Sequence, residues 1–312
     1  MQKQSIFIAA VIISITAVSI FFFPTIYQQN NNSSLHVTVT TSIIADAVTQ
    51  IAGKHITVHT LMGPGIDPHS YHARLSDIRA LLSSDIILYN GLHLEGKMAS
   101  ILEKMQTMKP TYAVANIIDQ TKLIQSDEFD GIYDPHIWFD VTLWIEVIAY
   151  ITDILIKHDQ TNAKIYRHNY ASYVTQLQKM HHRIQTKIKE IPKKDRFLVT
   201  THDAFSYFGR IYDINVIALQ GINLDAEPCI TDIQQLVQVI VKNNIKTIFV
   251  ESSLPHRSMQ AISQAVHAYG WQVQIGDELY SDALGPQHSD AHTYIGMLKH
   301  NVNSVVNGLN SR

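Results

Sequence analysis

Residues 162–191 read NAKIYRHNYASYVTQLQKMHHRIQTKIKEI, thirty positions without a glycine or a proline. Apolar side chains recur at Tyr166, Tyr170, Tyr173, Leu177, Met180, Ile184, Ile188 and Ile191. Steps of three and four place them on one face of a single amphipathic helix. At about 1.5 Å per residue such a helix extends roughly 45 Å, more than one small domain needs. An isolated helix of that length in mid-chain predicts a stiff brace shared by two bodies.

The flanking sequence supplies those bodies. Upstream, HVTVTTS (36–42), ITVHTLM (56–62) and DIILYN (85–90) have strand character, separated by the helical stretches SIIADAVTQIAG (42–53) and SDIRALLSS (76–84). Downstream the pattern restarts with RFLVTTH (196–202), NVIALQ (215–220), KTIFVES (246–252) and WQVQIGD (271–277). Helical stretches at 231–244 and 256–270 separate the later strands. Strands alternating with helices signal βαβ units and a parallel sheet. The expected fold is therefore α/β: two Rossmann-like lobes with parallel sheets, 35–160 and 193–312, joined by a rigid linking helix at 161–192.

Composition bounds the function. The chain has 312 residues, a formal net charge of −3, 46% hydrophobic and 16% charged residues. That is an ordinary globular balance. It lacks the basic excess of a nucleic-acid binder. The single cysteine, Cys229, excludes an internal disulfide and a thiolate zinc cluster. Residues 6–23, IFIAAVIISITAVSIFFF, are uncharged and mostly apolar, long enough to span a bilayer and ending in a poor cleavage sequence. Lys3 precedes the run and no further Lys or Arg occurs until Lys54, which places the body of the protein outside the cytoplasm. We read 1–34 as a retained hydrophobic anchor, rather than a cleaved signal, followed by a polar tether, QQNNNSS (28–34).

Asp-Pro-His occurs twice, in GPGIDPHSYHA (63–73) and in YDPHIWFD (133–140). Proline fixes its own φ and extends the residue before it, so His69 and His136 each leave a stiff corner. The preceding aspartate is placed to accept a hydrogen bond from a backbone or ring N–H, the support that metal-bound imidazoles need. His202, in LVTTHDAF, stands at the carboxyl end of its strand, where ligands collect in open α/β sheets. Asp282, in GDELYSDALG, lies in a loop beyond the last strand. Two ligand-type residues from each half thus fall at strand ends or loops. Three imidazoles and a carboxylate suit a divalent transition metal.

Other candidates carry less. GLHLEGKM (91–98) misses the phosphate-loop pattern because Met98 lacks the required hydroxyl, so its glycines serve the strand-to-helix turn. Asp140 reads as the N-cap of the helix beginning VTLWIEVIAY. Glu251 ends a strand and is open between a hydrogen-bond acceptor behind a ligand and a structural role. His72 is a neighbour of His69, His181 and His182 fall on the solvated side of the rod, and His93, His256, His288 and His292 belong to no constellation.

The chain resembles the metal-binding subfamily of solute-binding proteins for ABC importers, in its zinc- and manganese-binding TroA-like branch. LMGPGIDPHSY, LYNGLHLEGKM, DPHIWFDVTLW, LVTTHDAFSYFGRIY, LQGINLDAEP, IFVESSLPHR and IGDELYSDALG carry the resemblance, from about His36 to the C-terminus. It implies a metal site in the cleft between lobes, with ligands at His69, His136, His202 and Asp282. It implies capture of Zn(II) or Mn(II) and delivery to a membrane permease and, through it, a cytoplasmic ATPase. The expected protein is a non-enzymatic monomer at the outer face of the cytoplasmic membrane. The lipid-bearing cysteine of many relatives is missing, as is the histidine-rich loop of dedicated zinc chaperones, replaced here by QSDEFDGIYD (125–134). The alternatives are a zinc-dependent hydrolase, which would keep only three protein ligands and an open position, and a metal-stabilised adhesin without a permease.

Overall fold

A computed structural model describes residues 34–126, 131–222 and 228–310. The anchor and most of the tether read from the sequence lie outside these residues. Among the described residues no helix is long and apolar enough to cross a membrane.

The first sheet is parallel, in the order β2-β1-β3-β4, formed by β1 (Leu35–Thr41), β2 (Ile56–Met62), β3 (Ile86–Tyr89) and β4 (Thr111–Ala113). Alternate residues of a strand face opposite sides. Ile86 and Leu88 accordingly enter one core with α1 (Ser42–Ala52) and α4 (Val141–His158). Ile87 enters another, with Met62, Leu81, Leu102 and Met105, under α2 (Leu75–Ser83) and α3 (Ala99–Gln106). Burial on both faces explains why the strands read as nearly continuous apolar runs. Asp140 caps α4 as expected, accepting from the backbone N–H groups of Thr142 and Leu143.

The GLHLEGKM segment is a turn, as read. Gly91, Leu92 and His93 all have positive φ, +85°, +52° and +65°. The turn is pinned by buried Glu95, which accepts from Thr40 Oγ1 and the backbone N–H groups of Asn90 and Gly91.

The second half repeats the strand order. β5 (Phe197–His202) pairs with β6 (Asn215–Gln220), and β7 (Thr247–Ile248) with β8 (Gln274–Ile275), all parallel. The Phe249 N–H donates to Val199 O at 2.8 Å and joins β7 to β5. The regular parts of β7 and β8 are two residues each, shorter than their sequences suggest. Pairing nevertheless continues past them, through Leu279 N–H to Val250 O and a parallel bridge between Glu251 and Leu279. The interruption falls after Gly276, whose N–H still donates to Ile248 O at 2.8 Å; the next rung comes three residues on, at Leu279, where a regular ladder would advance by two. Leu198 faces the large shared core, whereas Val199 faces a separate core with α7 (Ile230–Lys242) and α8 (Arg257–Ala268).

The long helix is α5 (Ala163–Lys189), and its buried face is Tyr166, Tyr173, Leu177, Met180, Ile184 and Ile188. It packs on α1 and α4, on α6 (Ser206–Tyr212), and on α9 (Tyr294–Asn310), the terminal helix. One of the rod histidines departs from its reading. His182 is exposed, but His181 is half-buried, with Nδ1 2.9 Å from the hydroxyl of Tyr212. Tyr212 of α6 packs where the periodicity alone suggested solvent.

Candidate metal centre

His69, His136, His202 and Asp282 converge at the carboxyl ends of the strands, although up to 213 positions separate them in the chain (282 − 69). One ligand-type atom from each lies within 4.8 Å of the others. All four residues are buried, His69 being the most accessible at 7% and His136 and His202 fully enclosed.

Each arrives by a different local device. In both Asp-Pro-His turns the aspartate accepts from the backbone N–H two residues on: Asp67 from His69 at 2.8 Å, Asp134 from His136 at 2.9 Å. The turn therefore sets the direction of the histidine before any ligand arrives. His202 is the last residue of β5, paired with Gln220 of β6. The Asp282 loop is fastened to the first half of the chain. Trp138 Nε1 donates to Ser281 O at 3.0 Å, and the Leu284 N–H donates to Ser42 Oγ at 2.9 Å.

The donor atoms point inward. His69 Nε2 and His136 Nε2 are 3.2 Å apart, His136 Nε2 and Asp282 Oδ1 3.3 Å, and His202 Nε2 and Asp282 Oδ2 3.4 Å. A tetrahedral ion with bonds of about 2.0–2.1 Å separates its ligands by roughly 3.3 Å. These three separations are thus the edges of a coordination shell. Both carboxylate oxygens of Asp282 face imidazoles, so the group can chelate as well as bind through one oxygen. The residues fit a single divalent ion.

Behind the donors stand two further carboxylates. Asp134 Oδ1 lies 2.6 Å from His136 Nδ1, and Glu251 Oε2 lies 2.6 Å from His202 Nδ1. Asp134 and Glu251 are fully buried. The electrostatics follow. Burial alone would push the His136 imidazole down, but Asp134 and then Asp282 override it and raise its pKa to about 9. His202 is likewise raised, against burial, by Glu251 and Asp282. Asp282 is held well below the usual carboxylate range, burial being outweighed by His202 and His136. The carboxylates thus favour protonation of His136 and His202, and an ion must compete with those protons.

The other histidines stay outside. His72 is exposed, with Nδ1 near Ser70 O, and His256 contacts Glu278 at the surface. His292 lies over Ser289 O, while His93 and His288 are exposed. Sequence reasoning left Glu251 undecided and passed over Ser42, Trp138 and Ser281. A glutamate closing an apolar strand was the one available signal, whereas nothing local marks Ser42.

The family model for ZnuA, the periplasmic component A of a zinc-uptake complex, matches residues 37–308. This chain belongs to that family. It is 42% identical over 281 residues to the manganese-binding lipoprotein MntA of Bacillus subtilis, covering 90% of this chain and 92% of that protein. It is 39% identical over 273 residues to the zinc-binding protein TroA of Treponema pallidum, covering 88% of each. Among solved structures, periplasmic TroA superposes with a TM-score of 0.87 at 38% identity, covering 89% of this chain and all of that one. Fe(III)-bound YtgA from Chlamydia trachomatis superposes at 0.81 with 25% identity, covering 89% of this chain and 99% of that one.

Proposed function

We propose that this chain is the extracytoplasmic capture component of an ABC-type importer, taking up one Zn(II) or Mn(II) ion through His69, His136, His202 and Asp282. The observation that carries the reading is the convergence of three imidazole nitrogens and a carboxylate at coordination distances in a buried site. The names of MntA and TroA, manganese-binding and zinc-binding, support both ions as cargo. Delivery is to a membrane permease driven by a cytoplasmic ATPase. The protein acts as a monomer, tethered at the outer face of the cytoplasmic membrane through residues 6–23. Its working parts are a lobe at 35–160, a linking helix at 161–192 and a lobe at 193–312.

A binding role is favoured over hydrolysis by the fourth ligand. Catalytic zinc keeps an open position for water, which Asp282 closes. The site acts by exchanging protons for metal: neutral His136 and His202 offer Nε2 to the ion, while Asp282 supplies charge that the cargo neutralises. The test is metal content after purification under defined Zn(II) and Mn(II) supply, followed by competition titration with a chelator. One tightly held ion per chain is expected. No retained ion, or an ion retained undiminished by the His136→Ala protein, overturns the reading.

A further inference from the structure

We propose that the exposed face of α5 is an electrostatic docking surface for a membrane of anionic phospholipid. The inference rests on the membrane-anchored reading of the chain and adds a second contact to it. Over its 27 residues α5 carries Lys164, Arg167, Lys179, Arg183, Lys187 and Lys189, and no Asp or Glu. The whole chain has a net charge of −3, so everything outside this helix sums to −9 (−3 − 6). Lys187 is half-buried and the other five cations are exposed. Lys and Arg elsewhere find described carboxylates, as in Lys122–Glu146, Lys193–Asp213 and Arg210–Asp140, whereas none of these six does. The helices packed beside α5 do not neutralise it. Neither α6 nor α9 contains an acid, Asp46 of α1 is buried, and Glu146 of α4 pairs with Lys122, which leaves Asp153 of α4.

Helix stability does not account for this pattern. Lys179, Arg183 and Lys187 stand four residues apart, so like charges stack along one face, which weakens a helix. Lys164 lies in the first turn, where the helix dipole favours acids. Only Lys187 and Lys189, in the last turn, suit the dipole. An anionic surface makes favourable contacts of all six, because each Lys or Arg beside such a membrane strengthens attachment by about fivefold. The stripe from Lys164 to Lys189 runs about 37 Å. A flat anionic partner meets it along its length, whereas a small anion meets one or two of its charges.

The place where the chain leaves the described fold selects a membrane as that partner. Ser34, the first described residue, donates to His55 O at 3.4 Å, and Asn169 of α5 donates to Ile51 O at 2.9 Å. The exit of the chain and the amino-terminal turns of α5, with Lys164 and Arg167, thus meet the same short segment, 51–55. Ten residues, 24–33, separate Ser34 from the apolar run 6–23, and they reach at most about 36 Å. A chain anchored through that run keeps this end of α5 within reach of headgroup phosphates. The cluster of His69, His136, His202 and Asp282 lies at the carboxyl ends of the strands, whereas Ser34 stands at the amino end of β1. Docking through α5 therefore leaves the metal site clear of the surface.

The experiment places the full chain on vesicles of phosphatidylcholine alone and of phosphatidylcholine with phosphatidylglycerol. Acetylation of each lysine by a water-soluble reagent is followed by mass spectrometry. On the anionic vesicles at low salt, Lys164, Lys179 and Lys189 are expected to react at least about fivefold more slowly than on the neutral ones. Lys104 of α3 and Lys242 of α7, exposed on helices that pack against the other two cores, should not change. At about 0.5 M salt the screening length falls to roughly 4 Å, and the protection should disappear. Replacing Lys164→Gln, Arg167→Gln, Lys179→Gln and Arg183→Gln together should abolish protection of Lys189 and leave Zn(II) binding as in the parent. Equal rates on the two vesicles, or protection that survives high salt or the fourfold replacement, overturn the proposal. Protection by soluble polyphosphate with none by the vesicles also overturns it, and assigns the face to a soluble polyanion. Flotation with neutral vesicles reports the anchor separately. A chain that does not float with them counts against the anchored reading, and the rates on anionic vesicles still decide the docking face.

Discussion

His136 shows how much one residue can be asked to do. It is fully buried, shares a proton with Asp134, and turns Nε2 toward both His69 and Asp282. Its replacement by alanine removes a donor and leaves Asp134 buried without its proton partner. The loss of Zn(II) or Mn(II) affinity should exceed the about 10–100-fold that follows loss of a supporting hydrogen bond alone. Exposed His72 serves as the control, and His72→Ala should bind as the parent does in the same chelator competition.

The raised pKa of His136 also fixes the sign of the pH dependence. A proton held up to about pH 9 must leave before the ion binds, so affinity falls as pH drops, and does so already between pH 9 and 7. A free imidazole would begin to compete only near about 6.5. Because the folded pKa lies above the unfolded one, His136 stabilises the metal-free fold fully below about pH 6.5. That contribution is lost as pH rises through about 9. Thermal unfolding of metal-free protein should therefore shift downward from pH 6.5 to pH 9, a shift that saturating Zn(II) should abolish. An unfolding temperature of the metal-free form that rises over that window would refute the charged pairing.

At the scale of elements, α5 was legible because nothing competes with its signal: 27 residues of unbroken helix with apolar side chains at steps of three and four. The strands β7 and β8 were legible in place but not in length, since an extra residue between Gly276 and Leu279 shifts the pairing, a change of register that no local pattern encodes. His181 was misread for a similar reason. Its neighbour Tyr212 lies 31 positions away on α6. The four residues that cluster were legible because Asp-Pro-His turns and strand ends are local features. Their fastening through Ser42 and Trp138 was not, because it joins segments 242 and 143 positions apart.

The junction that holds α5 in place can be tested directly. Buried Asp46 of α1 accepts from Tyr173 of α5 at 3.0 Å and from the Tyr294 N–H of α9 at 3.1 Å. Tyr173→Phe withdraws one donor from a buried carboxylate and should cost about 1–3 kcal/mol. Leu177→Ala opens a cavity in the shared core and should cost about 2–5 kcal/mol. Denaturant unfolding measures both. Costs near zero would mean that α5 lies loosely on its neighbours.

Over the whole described molecule, one core takes in the first sheet, α5, α6 and α9, and polar contacts repeat the connection. Tyr207 of α6 donates to Asp134 O at 2.9 Å, Tyr294 donates to Trp138 O at 2.5 Å, and Arg210 Nη1 donates to Lys122 O at 2.7 Å. A wide hinge closure would break all of these together, so cargo loss should be a local event near His202 and Asp282. Small-angle scattering should give nearly the same radius of gyration with and without Zn(II), and a large expansion on metal removal would contradict the brace.

The site itself is tested most directly by anomalous X-ray diffraction from crystals of the Zn(II)-loaded chain. One ion is expected among His69 Nε2, His136 Nε2, His202 Nε2 and Asp282, with nitrogen bonds of about 2.0–2.1 Å. Anomalous density elsewhere, with none between these four side chains, would contradict the assignment of this buried cluster as the cargo site.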